Sequence, residues 1–191
     1  MKALAALLLF IWPVAAAQPV RTVKDLSADL EIIAKTASVM IDGDVCQRIV
    51  TPRAIEYILR NPSKDKWAAA DNYDVDDASF IATKKTLIRL SQLVDYPVDV
   101  NLWMPLKPDF SLIHIVIRNR HEMSQFWRWG TLFEPTPAPM RTVLQEGKRL
   151  TIASKLGFVS VLAPVRNSLG DIAGLIEVVA RLEPDARENV K

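Results

Sequence analysis

The stretch Val161-Leu162-Ala163-Pro164-Val165-Arg166-Asn167-Ser168-Leu169-Gly170-Asp171-Ile172-Ala173-Gly174-Leu175-Ile176-Glu177-Val178 consists of two apolar runs around a polar turn. Runs of this length, bounded by Asn, Ser, Gly and Asp, read as strands joined by a hairpin loop. A parallel crossover needs a dozen or more residues, so these strands are antiparallel neighbours. They extend over Phe158 to Arg166 and Ile172 to Leu182, and Arg149 to Ser154 reads as a strand before them. Gly174 lies inside an apolar strand, where glycine marks the close approach of another group.

Upstream, Thr136-Pro137 reads as a helix start, with Met140, Val143 and Leu144 on one face and Gly147 as its stop. Before it, Val98, Val100, Leu102 and Met104 alternate with Asp99, Asn101 and Trp103, the period of a half-buried strand. Leu112 to Asn119 reads as a second strand, with Ile113, Ile115 and Ile117 on one face and Leu112, His114, Val116 and Arg118 on the other. Helical spacing precedes the strands: Val23, Leu26, Leu30, Ile33, Ala37 and Met40 place one long amphipathic helix over Val20 to Met40, interrupted at Asp42-Gly43-Asp44. A short helix starts at Thr51-Pro52 and stops at Asn61-Pro62, and a third carries Phe80, Ile81, Leu87, Ile88 and Val94 and ends before Tyr96-Pro97.

Helices, two strands, a helix and three strands give the α+β class. This order after a long N-terminal helix, with Gly170 and Gly174 placed as they are in Val161 to Val178, resembles the extracytoplasmic PAS-like sensor fold known as the Cache domain. The resemblance implies a five-stranded antiparallel PAS/Cache-like sheet over residues 96–183, packed with helical segments over 18–95 as one domain and followed by a polar tail, 184–191. It also implies a small-molecule ligand, held between the sheet and the segments that cover it, and a membrane-bound signalling partner. Family members usually sit between two membrane helices. Here no apolar run follows Leu182, so the expectation is a freestanding sensor or binding protein.

The first residues bear on location. Lys2, the apolar run Ala3 to Ala17 and the small residues Ala15-Ala16-Ala17 fit a secretory signal peptide over 1–17, cleaved before Gln18, and imply a periplasmic or secreted protein. The run is shorter than the roughly 20 apolar residues of a membrane span. Half of the 191 residues are apolar and the net charge is only +2, so neither disorder nor polyanion binding is expected, and nucleic acid is not an expected partner. Cys46 is the single cysteine, which rules out an intrachain disulfide and leaves a buried thiol or an interchain link.

Catalytic signals in the pattern are weak. There is no Gly-x-Ser-x-Gly elbow, no His-Glu-x-x-His pair and no Cys-x-x-Cys-His run, so the chain is expected not to be an enzyme and no cofactor or metal is assigned. Asp71, Asp74, Asp76 and Asp77 lack the glycine and terminal glutamate of a calcium loop and read as a solvated loop with a helix cap. The candidate ligand site combines two groups. Asn101 and Trp103 on the first strand and His114 and Arg118 on the second share the less apolar sides of their strands; Phe126, Trp127, Arg128 and Trp129 form an aromatic and cationic cluster. Of these, Asn101, Trp103, His114, Arg118, Trp127, Arg128 and Trp129 are the expected ligand-binding residues, and an acid to pair the arginines is not evident, which points to a small anionic or aromatic ligand. The alternatives are that the face meets water and the aromatic cluster is a hydrophobic plug. Two other functions are compatible with the sequence: noncovalent haem on His114 or His121 with Met104 or Met123, and a structural module that forms a homodimer through the long helix.

Overall fold

A computed structural model of the protein describes residues 21–60, 75–127, 134–154 and 156–182. The signal-peptide segment, the Asn61-Pro62 stop, Asp71, Asp74, Arg128, Trp129 and the polar tail lie outside the described residues. The elements in chain order are α1 (Val23–Met40), α2 (Gly43–Ile49), α3 (Pro52–Arg60), α4 (Asp77–Leu90), β1 (Val98–Pro105), β2 (Leu112–Ile117), β3 (Glu134–Pro135), α5 (Ala138–Glu146), β4 (Leu150–Ala153), β5 (Phe158–Arg166) and β6 (Ile172–Arg181).

Local chemistry sets most of the helix ends. Thr22 and Asp25 form a capping box at the start of α1: the Thr22 hydroxyl accepts from the Asp25 N–H, and the Asp25 carboxylate accepts from the Thr22 N–H, each at 3.2 Å. The Asp42 carboxylate accepts from the N–H groups of Asp44 and Val45, so the expected interruption is itself the N-cap of a further short helix, α2. Asp76 caps α4 by accepting from Ser79 N–H at 2.8 Å. The expected Thr136 cap is not made: Pro137 occupies the cap position of α5 with no side-chain bond, and the Thr136 hydroxyl is buried without a partner among the described residues. Met40, expected on the apolar stripe of α1, is 59% exposed, because the helix turns its Leu26, Leu30, Ile33 and Ala37 side inward.

All strand pairs are antiparallel, in the order β3-β2-β1-β6-β5-β4. Among the described residues the sheet therefore has six strands rather than the expected five. The addition is β3, a two-residue edge strand paired to Leu112 and Ile113. The core lies on both faces of the sheet. On one, Leu26, Leu30, Ile33, Ala37, Ile49 and Leu87 from the helices pack on Val100, Leu102, Val161, Ala163, Ile176 and Val178. On the other, Met140, Val143 and Leu144 of α5 pack on Trp103, Ile113, Ile115, Leu162 and Leu175. Two covered faces explain why β5 and β6 are apolar along nearly their whole length.

Gly174 sits where β6 runs tightly against Trp103 and Met104 of β1. A Cβ there would lie 2.6 Å from both the Met104 sulfur and the Trp103 carbonyl oxygen. That is the close approach its place in an apolar strand implies.

Candidate functional site

The centre of the sheet holds two buried acids. Asp99 on β1 and Glu177 on β6 are each 0% exposed. Both accept hydrogen bonds from the segment that follows β2. The Asp99 carboxylate accepts from the N–H of His121 at 3.0 Å and of Met123 at 2.7 Å. Glu177 accepts from the Ser124 hydroxyl at 2.6 Å, the Gln125 N–H at 2.8 Å, the Trp103 indole N–H at 3.1 Å and the Ser160 hydroxyl at 3.3 Å. Burial pushes both carboxyls above the ordinary carboxylate range; the N–H and O–H donors oppose this, and burial prevails.

Asn101 belongs to the same arrangement. Its amide donates to the Met123 carbonyl at 2.7 Å and accepts from the Asn119 N–H at 3.0 Å. Asp99, Asn101 and Glu177 thus fasten residues 119–125 across the sheet. Asn119 extends the fastening to α4 by donating to the Leu87 carbonyl at 3.2 Å. The polar atoms of Asn101 and Trp103 are engaged by the protein itself, which makes both residues part of the fastening rather than of an open pocket.

His114 is not with them. The β1–β2 register shifts between Leu102 and Trp103, and His114 pairs with Met104, which puts it on the helical face of the sheet, opposite Trp103. Burial pulls its imidazole down to about 3, so it is neutral at physiological pH. The expected grouping of Asn101, Trp103, His114 and Arg118 on a shared face is therefore split by the bulge.

Arg118 and Trp127 do meet. The guanidinium carbon stands 4.4 Å from the indole centroid, a cation–π stack, and Arg118 also pairs with Glu122 at 3.4 Å. An acid to pair Arg118, not evident from the sequence, is therefore present four residues on. Phe126 and Trp127 pack against the Trp103 side of the core, as the plug alternative expects.

His114 lines a different feature. At one end of the sheet a cleft of about 420 Å³ opens between α2, α3 and the β1–β2 connection. Met104, Leu106, Phe110, Ile55 and Val50 make its walls largely apolar, and Cys46, His114, Gln47 and Lys107 also line it. Burial pushes the Cys46 thiol up to about 12, so it is a neutral wall group and not a reactive thiolate. Ligand pockets of roughly 300–1,000 Å³ with mostly apolar walls and a few polar groups take small organic molecules.

Two of these features carried a faint sequence signal. Asp99 in Val98-Asp99-Val100 and Glu177 in Leu175-Ile176-Glu177-Val178 are lone acids within apolar strands, a placement that requires partners. Cys46, Phe110 and Lys107 come from separate elements, and only the folded chain brings them to one cleft. Among the described residues no group of His, Cys, Asp or Glu could hold a metal ion, and no helix is long and apolar enough to cross a membrane. No protein-family model matches the chain, and no curated protein matches it.

Proposed function

We propose that this chain is a noncatalytic, small-molecule-binding sensor domain of the Cache and PAS-like type, working in the periplasm or outside the cell and reporting to a membrane-bound partner. The observation that carries the reading is the cleft of about 420 Å³ at the end of the sheet, a volume and lining suited to a small aromatic acid. Its ring would lie against Phe110, Met104 and Ile55, and its carboxylate would be matched by Lys107. The order of helices, two strands with the added edge strand β3, a helix and three strands, with the Gly174 crossing, is what supports the family reading.

A thermal-shift screen of benzoate, phenylacetate and indole carboxylates against the mature protein tests this. An aromatic acid should raise the melting temperature, and Ala173→Leu, which fills one wall of the cleft, should abolish the response. If no aromatic acid stabilises the protein, or if Ala173→Leu responds as the wild type does, the cleft is not the ligand site.

The haem alternative is the weaker one. Met104 and His114 are directly opposed residues, with Cβ atoms about 4.5–5.5 Å apart on one face. Side by side, they cannot flank the two sides of a porphyrin plane. His121 is exposed on another segment. The dimer alternative has support in Ile32, Val39 and Met40 on α1, which are 63%, 82% and 59% exposed. A solution mass of twice the monomer, lost in Ile32→Lys, would favour it.

A further inference from the structure

Gly147, the residue that ends α5, adopts the left-handed conformation at φ 67°. Its lack of a side chain also leaves room for the Arg166 guanidinium, which a Cβ would strike. Arg166 donates to the Gly170 carbonyl at 2.7 Å and to the Gly147 carbonyl at 3.3 Å. Its planar head is fixed before any ligand arrives. Lys148 and Arg149 follow Gly147 directly, and Arg149 donates to Glu31 of α1 at 3.1 Å, while the other Glu31 oxygen accepts from the Thr151 hydroxyl at 2.5 Å. Two braced guanidiniums and an ammonium thereby line one cleft of about 520 Å³ between α1 and the α5–β4 corner.

The charges in this cleft do not balance. Lys148, Arg149 and Arg166 face one carboxylate, Glu31, an excess of two positive charges. At Arg118, by contrast, the cation is paired with an acid, Glu122. Each guanidinium has five N–H donors; the bonds to Gly147 and Gly170 use two on Arg166, and the bond to Glu31 uses one on Arg149. A braced fork loses little freedom when it binds a planar oxyanion.

We infer that this cleft binds a small oxyanion with at least two negative charges, of phosphate or carboxylate type. It shares no lining residue with the apolar cleft, so it is a second site, independent of the sensor reading.

Calorimetric titration with pyrophosphate, orthophosphate and citrate, at low and at physiological salt, tests the inference. At least one of these should bind, more weakly as salt rises. Lys148→Glu should weaken binding by about tenfold or more, the scale of a lost charge-assisted contact, with the ligand-free melting temperature unchanged. Lys85→Glu on α4, outside the cleft, makes the same change in net charge and should bind as the wild type does. Arg149→Gln provides a second variant, which should also bind more weakly. Preference for pyrophosphate over citrate, or the reverse, distinguishes phosphate from carboxylate as the natural group. If none of the three anions binds, or if Lys85→Glu weakens binding as much as Lys148→Glu does, the inference is overturned.

Discussion

Trp103 and Glu177 meet across the β1–β6 ladder, where the indole N–H donates to a carboxylate that is itself wholly buried. The same carboxylate receives Ser124 and Gln125 from the covering segment. A single side chain therefore joins two strands and the loop that crosses them, and its loss should be felt in all three.

Glu177→Ala leaves the Trp103 indole, the Gln125 N–H and two serine hydroxyls without their acceptor. Each buried unsatisfied group costs about 1 to 3 kcal/mol, so a total loss of about 3 kcal/mol or more is expected in urea unfolding. Amide exchange at Gln125 should accelerate beyond the global change. A loss below about 1 kcal/mol would mean that other acceptors replace the carboxylate.

The pH dependence has a definite sign. Burial holds the Glu177 carboxyl above its unfolded value, so folding favours the neutral form. That contribution is full below the unfolded carboxylate value, about 4.3, and is lost as pH rises through the raised folded value. Glu177→Gln does not titrate there. The stability of the wild type relative to this variant should be greatest in acid and fall as pH increases. His114, whose imidazole is pulled down to about 3, acts the other way: its contribution is present above its unfolded value and is lost as pH falls toward 3. It is common to both proteins and cancels in the difference. A difference that grows with pH would mean that the four donors to Glu177 outweigh its burial.

Gly174→Val tests the strand crossing. Its Cβ would meet the Met104 sulfur and a backbone carbonyl at 2.6 Å, and the carbonyl cannot swing aside as a side chain can. Overpacking of this kind costs about 1 to 3 kcal/mol. The variant should melt lower than Ala173→Val, its neighbour on the same strand, and equal melting would remove the case for a tight crossing.

Elements with a strong period or a turn signal were legible in the sequence. The β5–β6 hairpin and the inward Leu26, Leu30, Ile33 and Ala37 of α1 stand where their patterns place them, while Met40 turns outward and β1, read as half-buried, is covered on both faces. What depends on register was not. Alternation assigns residues to sides within one strand, but the side that His114 shares with β1 depends on the shift between Leu102 and Trp103, which no residue pattern announces. Short pieces were also hidden: α2 has seven residues and β3 two, too few to display a period. The candidate ligand residues fared by the same rule. Arg118 and Trp127 lie close enough in the chain to be brought together by local folding, whereas Asn101 and Trp103 proved to be committed to Met123 and Glu177, partners far away in sequence.

The strand order has a consequence for how the molecule assembles. β6 is the last strand described, yet it lies in the middle of the sheet, between β1 and β5. Until Arg181 has left the ribosome, the β1–β2 pair and the β4–β5 pair have no common neighbour, and each presents an open edge where β6 will later insert. Asp99 and Asn101 can gather their loop early, but Trp103 must wait for Glu177, 74 residues further along the chain. Such distant pairing is slow to form and leaves edges exposed to other chains in the meantime. The architecture therefore favours a nearly all-or-none closure once β6 has been made, with β6 acting as the keystone.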